Sequence, residues 1–207
     1  MRGAPVFPIL RWCALLFLAA LVPAYWHFYG PANFLLLCDI AIILTTVGLW
    51  KGSALLLSTQ AVSSLLLDVI WDLDVFARLL LGRHLIGGTE YMWDARWPLW
   101  LRLLSLFHVL LPPVLLWGLR RVGYDRRALW VQSAIAALAM AAGRLTPPAK
   151  NSNYAFADPF FHRQWGPAPV HVAFMWLVML VVVYLPVHLL LRWLFPAPGS
   201  VRTRGGA

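Results

Sequence analysis

Six stretches of this chain, roughly residues 7–26, 31–50, 54–74, 98–119, 128–144 and 170–195, are apolar over most of their length. A helix needs about 20 such residues to cross hydrocarbon, and only the fifth stretch falls clearly short. Backbone surrounded by lipid must satisfy its own N–H and C=O groups, so stretches of this kind become helices. The sequence therefore predicts an all-α polytopic transmembrane bundle of six spans. One domain over 1–196 is expected, because the loops are too short to hold another, with a disordered cytoplasmic tail over 197–207. Composition agrees: 61% of the 207 residues are hydrophobic and 12% are charged. A soluble domain does not look like this.

The formal net charge of +9 suggests nucleic acid only until its distribution is drawn. With the N-terminus cytoplasmic, the inner side carries Arg2, Arg11, Lys51, Arg120, Arg121, Arg126, Arg127, Arg192, Arg202 and Arg204. The outer side carries Arg78, Arg83, Arg96, Arg144, Lys150 and Arg163, and Arg102 falls within the fourth span. That bias places both termini inside the cell and makes the partner a lipid bilayer, with no nucleic acid. Tryptophans cluster at the same two levels, Trp26, Trp93, Trp97, Trp100 and Trp165 outside and Trp12, Trp50, Trp117, Trp130 and Trp193 inside. Indole favours the headgroup layer. Cys13 and Cys38 fall in spans and read as small buried apolar residues, with no disulfide framework. Arg2 and Arg11 ahead of an apolar run also fit a signal peptide; the apolar and aromatic residues that continue through Tyr29 favour an uncleaved first helix.

Within the third span Gln60, Ser64, Asp68 and Asp72 recur every fourth residue and share one helical face. Carboxylates are costly in hydrocarbon, so this stripe should face the bundle interior. Asp39 lies in the second span, after Asn33; Arg102, Ser105 and His108 lie in the fourth; Tyr184 and His188 share a face of the last. Together they suggest an outer-half site in which Asp39, Asp68, Asp72 and His108 do acid–base work or bind a divalent metal. Arg102, Ser105 and Asn33 would contact substrate, Arg102 through an anionic group. Gln60, Ser64, Tyr184 and His188 would extend a proton track inward. The bland alternative is that Arg102 neutralises Asp68 and Asp72 in internal salt bridges.

Other local expectations follow. Residues 75–97 read as a short interfacial helix broken at Gly87-Gly88, with Arg78 pairing with Asp74. Pro112 should kink the fourth helix beside His108. His84, His162 and His171 read as solvated or interfacial, and the Ala-rich fifth span as a packing helix. The loop over 145–168 either covers something or rests on the interface.

There is no HExxH, GxSxG, P-loop or CxxC motif, which leaves zincin, serine-hydrolase, nucleotide-binding and thiol-redox readings unsupported. Ser105, His108 and the scattered Asp residues resemble membrane hydrolases of the alkaline ceramidase type, but no HxxxH pair occurs in the last helix. His108 and His188 differ too much in depth to bind one haem. The runs Tyr29-Gly30-Pro31-Ala32-Asn33-Phe34, Cys38-Asp39-Ile40, Gly123-Tyr124-Asp125-Arg126-Arg127-Ala128-Leu129, Asn153-Tyr154 and Leu185-Pro186-Val187-His188 resemble those of a bacterial family of six-helix integral membrane proteins without assigned activity. The resemblance spans most of the chain from Tyr29 onward and implies a multi-pass location in the inner membrane. The leading functional expectation is a lipid- or isoprenoid-handling membrane protein, with an enzymatic role left open. The alternatives are a small proton-coupled transporter working as a homodimer and a non-catalytic assembly subunit or scaffold.

Overall fold

A computed structural model describes residues 6–198 of the chain. Among the described residues there is no β-strand, and six main helices carry the architecture. They are α1 (Leu10–Tyr29), α2 (Leu37–Lys51), α3 (Ala54–Leu81), α4 (Leu99–Val122), α5 (Ala128–Gly143) and α6 (Ala168–Leu194). A 3-10 turn at Leu104–Leu106 interrupts α4, and a π-helical stretch at Met179–Tyr184 interrupts α6.

Four of the six, α1, α3, α4 and α6, are long and apolar enough to cross a membrane. α2 and α5 have 15 and 16 residues. At 1.5 Å per residue they rise only about 22 and 24 Å, short of a hydrocarbon core about 30 Å thick. The missing length before α2 is taken by a separate 3-10 turn, Pro31–Leu35, ended by the extended residue Leu36. Arg2 and the predicted tail from residue 199 onward, with Arg202 and Arg204, lie outside the described residues. The first two residues of the predicted tail, Ala197 and Pro198, are described, and a Cβ at Gly123 would sit 2.9 Å from the backbone of both.

α3 is the hub, packed against α2, α4, α5 and α6. It starts at Ser53, whose hydroxyl accepts from the Leu56 N–H at 3.3 Å, and stops at Gly82, which takes the left-handed conformation at φ 70°. Leu57 shows how closely its neighbours approach. A Cβ added at Gly48 of α2 or at Gly118 of α4 would lie 3.1 or 3.2 Å from a Leu57 methyl. Glycine at both positions lets one leucine fill the space between three helices. α5 packs as its alanines predict, with Ala128, Ala136, Ala139 and Gly143 all buried. α1 is peripheral, with Leu16 70% exposed and Cys13 exposed rather than buried as expected.

Several local expectations are corrected. The helix carrying Asp74 does not give way to an interfacial helix; it continues through Leu81 because nothing before Gly82 breaks it. Arg78 donates to the Gly82 carbonyl, not to Asp74. Asp74 instead accepts the N–H groups of Leu85, Ile86 and Gly87 at 2.7–3.0 Å, the Thr89 hydroxyl and His84 Nδ1. That carboxylate organises the turn after α3. α4 stays helical through Pro112 and Pro113, and its irregular turn precedes His108. His171 is fully buried: its Nδ1 accepts from the Trp165 N–H at 3.1 Å and its Nε2 donates to the Tyr154 carbonyl at 3.0 Å.

The loop between α5 and α6 is tied down from both sides. Asn153 accepts from the Leu37 N–H at 3.0 Å and donates to the Leu35 carbonyl at 2.7 Å, capping the start of α2 across more than a hundred residues of sequence. Asp158 accepts the N–H groups of Phe160, Phe161 and Arg163 and the Trp165 indole N–H. Desolvation opposes its ionisation, but these donors outweigh it and hold Asp158 below the ordinary carboxylate range.

Candidate functional site

The stripe on α3 meets α4 through one contact. Asp68 Oδ1 lies 2.7 Å from His108 Nδ1, and both residues are buried. The imidazole is stacked between Trp71, 4.7 Å away at 25°, and Phe107, 4.2 Å away at 27°. Helical spacing accounts for the arrangement, since Trp71 follows Asp68 by three residues and lies on the same face. A carboxylate on Nδ1 fixes the tautomer and leaves Nε2 for exchange with another partner. Among the described residues Nε2 makes no hydrogen bond, and the side chain keeps 10% of its surface exposed.

Around this pair the other expected residues take separate places. Asp72 is half-buried one turn beyond Asp68, and its Oδ1 has no partner among the described residues. Asp68 and His108 are its ionisable neighbours. Asp39, 1% exposed, accepts from Asn33 Nδ2 at 2.5 Å. It forms a second polar centre, with Cys38 in electrostatic reach of both Asp39 and Asp68. Ser105 bonds the Tyr25 hydroxyl at 2.9 Å and approaches Tyr91, which also accepts from Trp71 Nε1 at 3.3 Å. Tyr91 therefore links the Ser105 cluster to the ring that covers His108. Burial pushes its phenol well above the ordinary tyrosine range, against the bonds from Ser105 and Trp71, so it stays a neutral hydroxyl.

Arg102 corrects the internal salt-bridge alternative. Its Nη1 donates to the Met92 carbonyl at 2.6 Å, and its buried Nε has no partner. Among the described residues the ion pairs are Asp74–His84, Asp94–Arg96, Asp68–His108 and Asp125–Arg127, so neither Asp68 nor Asp72 is neutralised by arginine.

At the end of the bundle formed by the turn between α1 and α2 and the loop between α5 and α6 lies a crevice of about 530 Å³, lined in part by Tyr29, Asn33, Tyr91, Trp97, Lys150 and Ser152. Asn33 faces it while holding Asp39, and Tyr91 faces it while holding Trp71. Lys150, beside it, donates to the Tyr29 carbonyl at 2.8 Å. The crevice thus abuts both polar centres. No group of three or more His, Cys, Asp or Glu side chains able to hold a metal ion occurs among the described residues. The donor set is suited to moving protons rather than to ligating a divalent cation.

Of the proton track expected inward of this site, Ser64 is a side-chain hydrogen-bonding neighbour of Asp68, and no contact among the described residues leads from the Gln60 side chain to Tyr184 or His188. Ser64 donates to the Gln60 carbonyl at 3.0 Å, back into its own helix, and both side-chain atoms of Gln60 are buried without partners among the described residues. Tyr184 receives Gln132 Nε2 at 3.4 Å, which also donates to Ser63 at 2.8 Å. His188 pairs with the Tyr124 hydroxyl at 2.7 Å near the opposite end. Sequence reasoning missed Tyr25, Trp71, Tyr91, Tyr124 and Gln132. Trp71 had a usable signal, being an aromatic within one turn of Asp68 and Asp72 on α3; Tyr25 lies on α1, which carries no polar stripe, and Tyr91 and Tyr124 lie in turns whose placement has no periodicity to read. Comparison of the chain with models of known protein families, with curated proteins and with solved structures finds no match to any of them.

Proposed function

We propose that this chain is a multi-pass protein of the bacterial inner membrane, with six membrane-embedded helices and both termini cytoplasmic. Its outer-half site handles a lipid or isoprenoid ligand through proton exchange at His108. The buried Asp68–His108 contact carries this reading. Asp68 holds Nδ1, so that Nε2 accepts a proton from a ligand hydroxyl or water and returns it to a leaving group. Asp72, half-buried beside the pair, is the second carboxylate available to share that proton. Asp39, positioned by Asn33, stands where the outer crevice meets the bundle. Lys150 at the crevice and Arg102 beside Tyr91 supply positive charge for an anionic head group, and the Tyr25–Ser105 pair supplies hydroxyls.

The test is lipid profiling by mass spectrometry of membranes from cells producing wild type, Asp68→Asn or His108→Gln at matched levels of folded protein. A species that changes with wild type and with neither variant supports the proposal. Profiles that respond identically to wild type and both variants refute it.

A second reading, a proton-coupled transporter working as a homodimer, draws on the buried Ser63–Gln132–Tyr184 and Tyr124–His188 contacts. The unpartnered Gln60 side chain weighs against it. Proteoliposome flux unaffected by His188→Ala removes it.

A further inference from the structure

A groove of about 660 Å³ opens at the basic end of the bundle, between the turn before α1, α1 itself and the second half of α4. Its floor is Phe7, fully buried with its ring 5.3 Å from Trp117. Ile9, Cys13 and Val114 wall it, and Arg121 is its one charged lining residue. The Arg121 guanidinium sits 5.2 Å over Trp117. The groove thus combines an apolar slot with a cation beside a tryptophan, an arrangement suited to the level where acyl chains meet phosphates.

Charge at this end selects the occupant. Arg11, Lys51, Arg120, Arg121, Arg126 and Arg192 have no carboxylate partner among the described residues. Asp125, the acidic residue of this end, is held by Arg127 at 2.7 Å. A second copy presenting the same end would meet like charge. Residues 1–5 of the chain bring Arg2, which is also cationic. An anionic amphiphile is complementary to both the slot and the charge.

We infer that this groove is a binding site for an anionic phospholipid, taking an acyl chain against Phe7 and Val114 and setting the phosphate against Arg121. The site is separate from Asp68 and His108 and does not depend on their role.

Two measurements on the purified full-length protein decide it. Native mass spectrometry would titrate phosphatidylglycerol and phosphatidylcholine of the same acyl chains. Wild type retains more phosphatidylglycerol; Arg121→Gln loses it about five-fold, the factor one basic side chain contributes near an anionic headgroup, while phosphatidylcholine is unchanged. Arg120→Gln removes the same charge outside the groove and stays close to wild type. Equal retention of the two lipids, or equal losses in the two variants, overturns the site in favour of a diffuse basic surface. Cys13, exposed and in the groove wall, supplies the second readout. Its maleimide labelling slows when phosphatidylglycerol is added and not when phosphatidylcholine is added. An unchanged rate, or full protection before any lipid is added, overturns the inference, the latter by making the chain's own residues the occupant.

Discussion

The Asp68–His108 pair makes a sharp energetic prediction. In His108→Leu the carboxylate loses the partner of Oδ1 while Oδ2 already has none among the described residues. Stranding a buried charge in this way costs about 3–5 kcal/mol. In Asp68→Val the imidazole is left with Nδ1 unpaired, at about 1–3 kcal/mol. The double variant Asp68→Val/His108→Leu leaves neither group stranded, and replacing both partners by apolar side chains is close to neutral. The two single losses should therefore fail to add, with a coupling close to their sum, about 4–8 kcal/mol. The assay is reversible unfolding in mixed detergent–SDS micelles, followed by helical circular dichroism, on all four proteins. Losses that add to within about 0.5 kcal/mol would refute the reasoning. They would mean that the 2.7 Å contact does not bind the two side chains energetically, and His108 would lose its orienting partner with it.

Three further outcomes are expected. Gly118→Val drives a side chain into Leu57, where even a Cβ lies 3.2 Å from a methyl, and lowers stability by about 1–3 kcal/mol; adding Leu57→Ala recovers part of this in the same unfolding assay. Asn153→Ala strands the Leu37 N–H and the Leu35 carbonyl, costs about 2 kcal/mol, and speeds hydrogen exchange at Leu37 before exchange rises elsewhere in α2. Asp158 has its folded-state pKa below the ordinary value, so its support for the 156–165 turn is full above about pH 4 and is lost as pH falls through the lower folded value. Exchange at the Phe160 and Phe161 amides should rise over that acid range in wild type and be raised at every pH in Asp158→Asn; a pH-independent rate in wild type contradicts the assignment.

Depth along the bundle was legible in the sequence, and lateral neighbours largely were not. The period of four in Gln60, Ser64, Asp68 and Asp72 follows from helix geometry alone, which is why that face and its burial at Asp68 were readable. Asp68 and His108 were expected at related depth, and the structure makes them partners. For Gln60 the face alone was readable, since its side chain has no partner among the described residues; Ser64 bonds the preceding carbonyl and stays beside Asp68. Asp74 was mispaired because Arg78 sits at ideal helical spacing, whereas three backbone N–H groups of the following turn converge on the carboxylate. Such a turn has no period, so no pattern announces it. His171 was misplaced for a related reason, since its burial comes from a loop folding back over α6.

The π-helical stretch at Met179–Tyr184 bears on how this chain tolerates changes of length. A π turn accommodates one extra residue while the helix on either side keeps its facing. Removing one residue between Leu180 and Val182 should thus turn α6 into regular α-helix and leave His171 under its loop and His188 against Tyr124. The same deletion in α3 has no slack to absorb it. Every side chain beyond the cut would swing about 100° around the axis, and Asp68, Trp71 and Asp72 would leave α4 together. Of these two helices, α6 can lose a residue and α3 is fixed in register by what it carries.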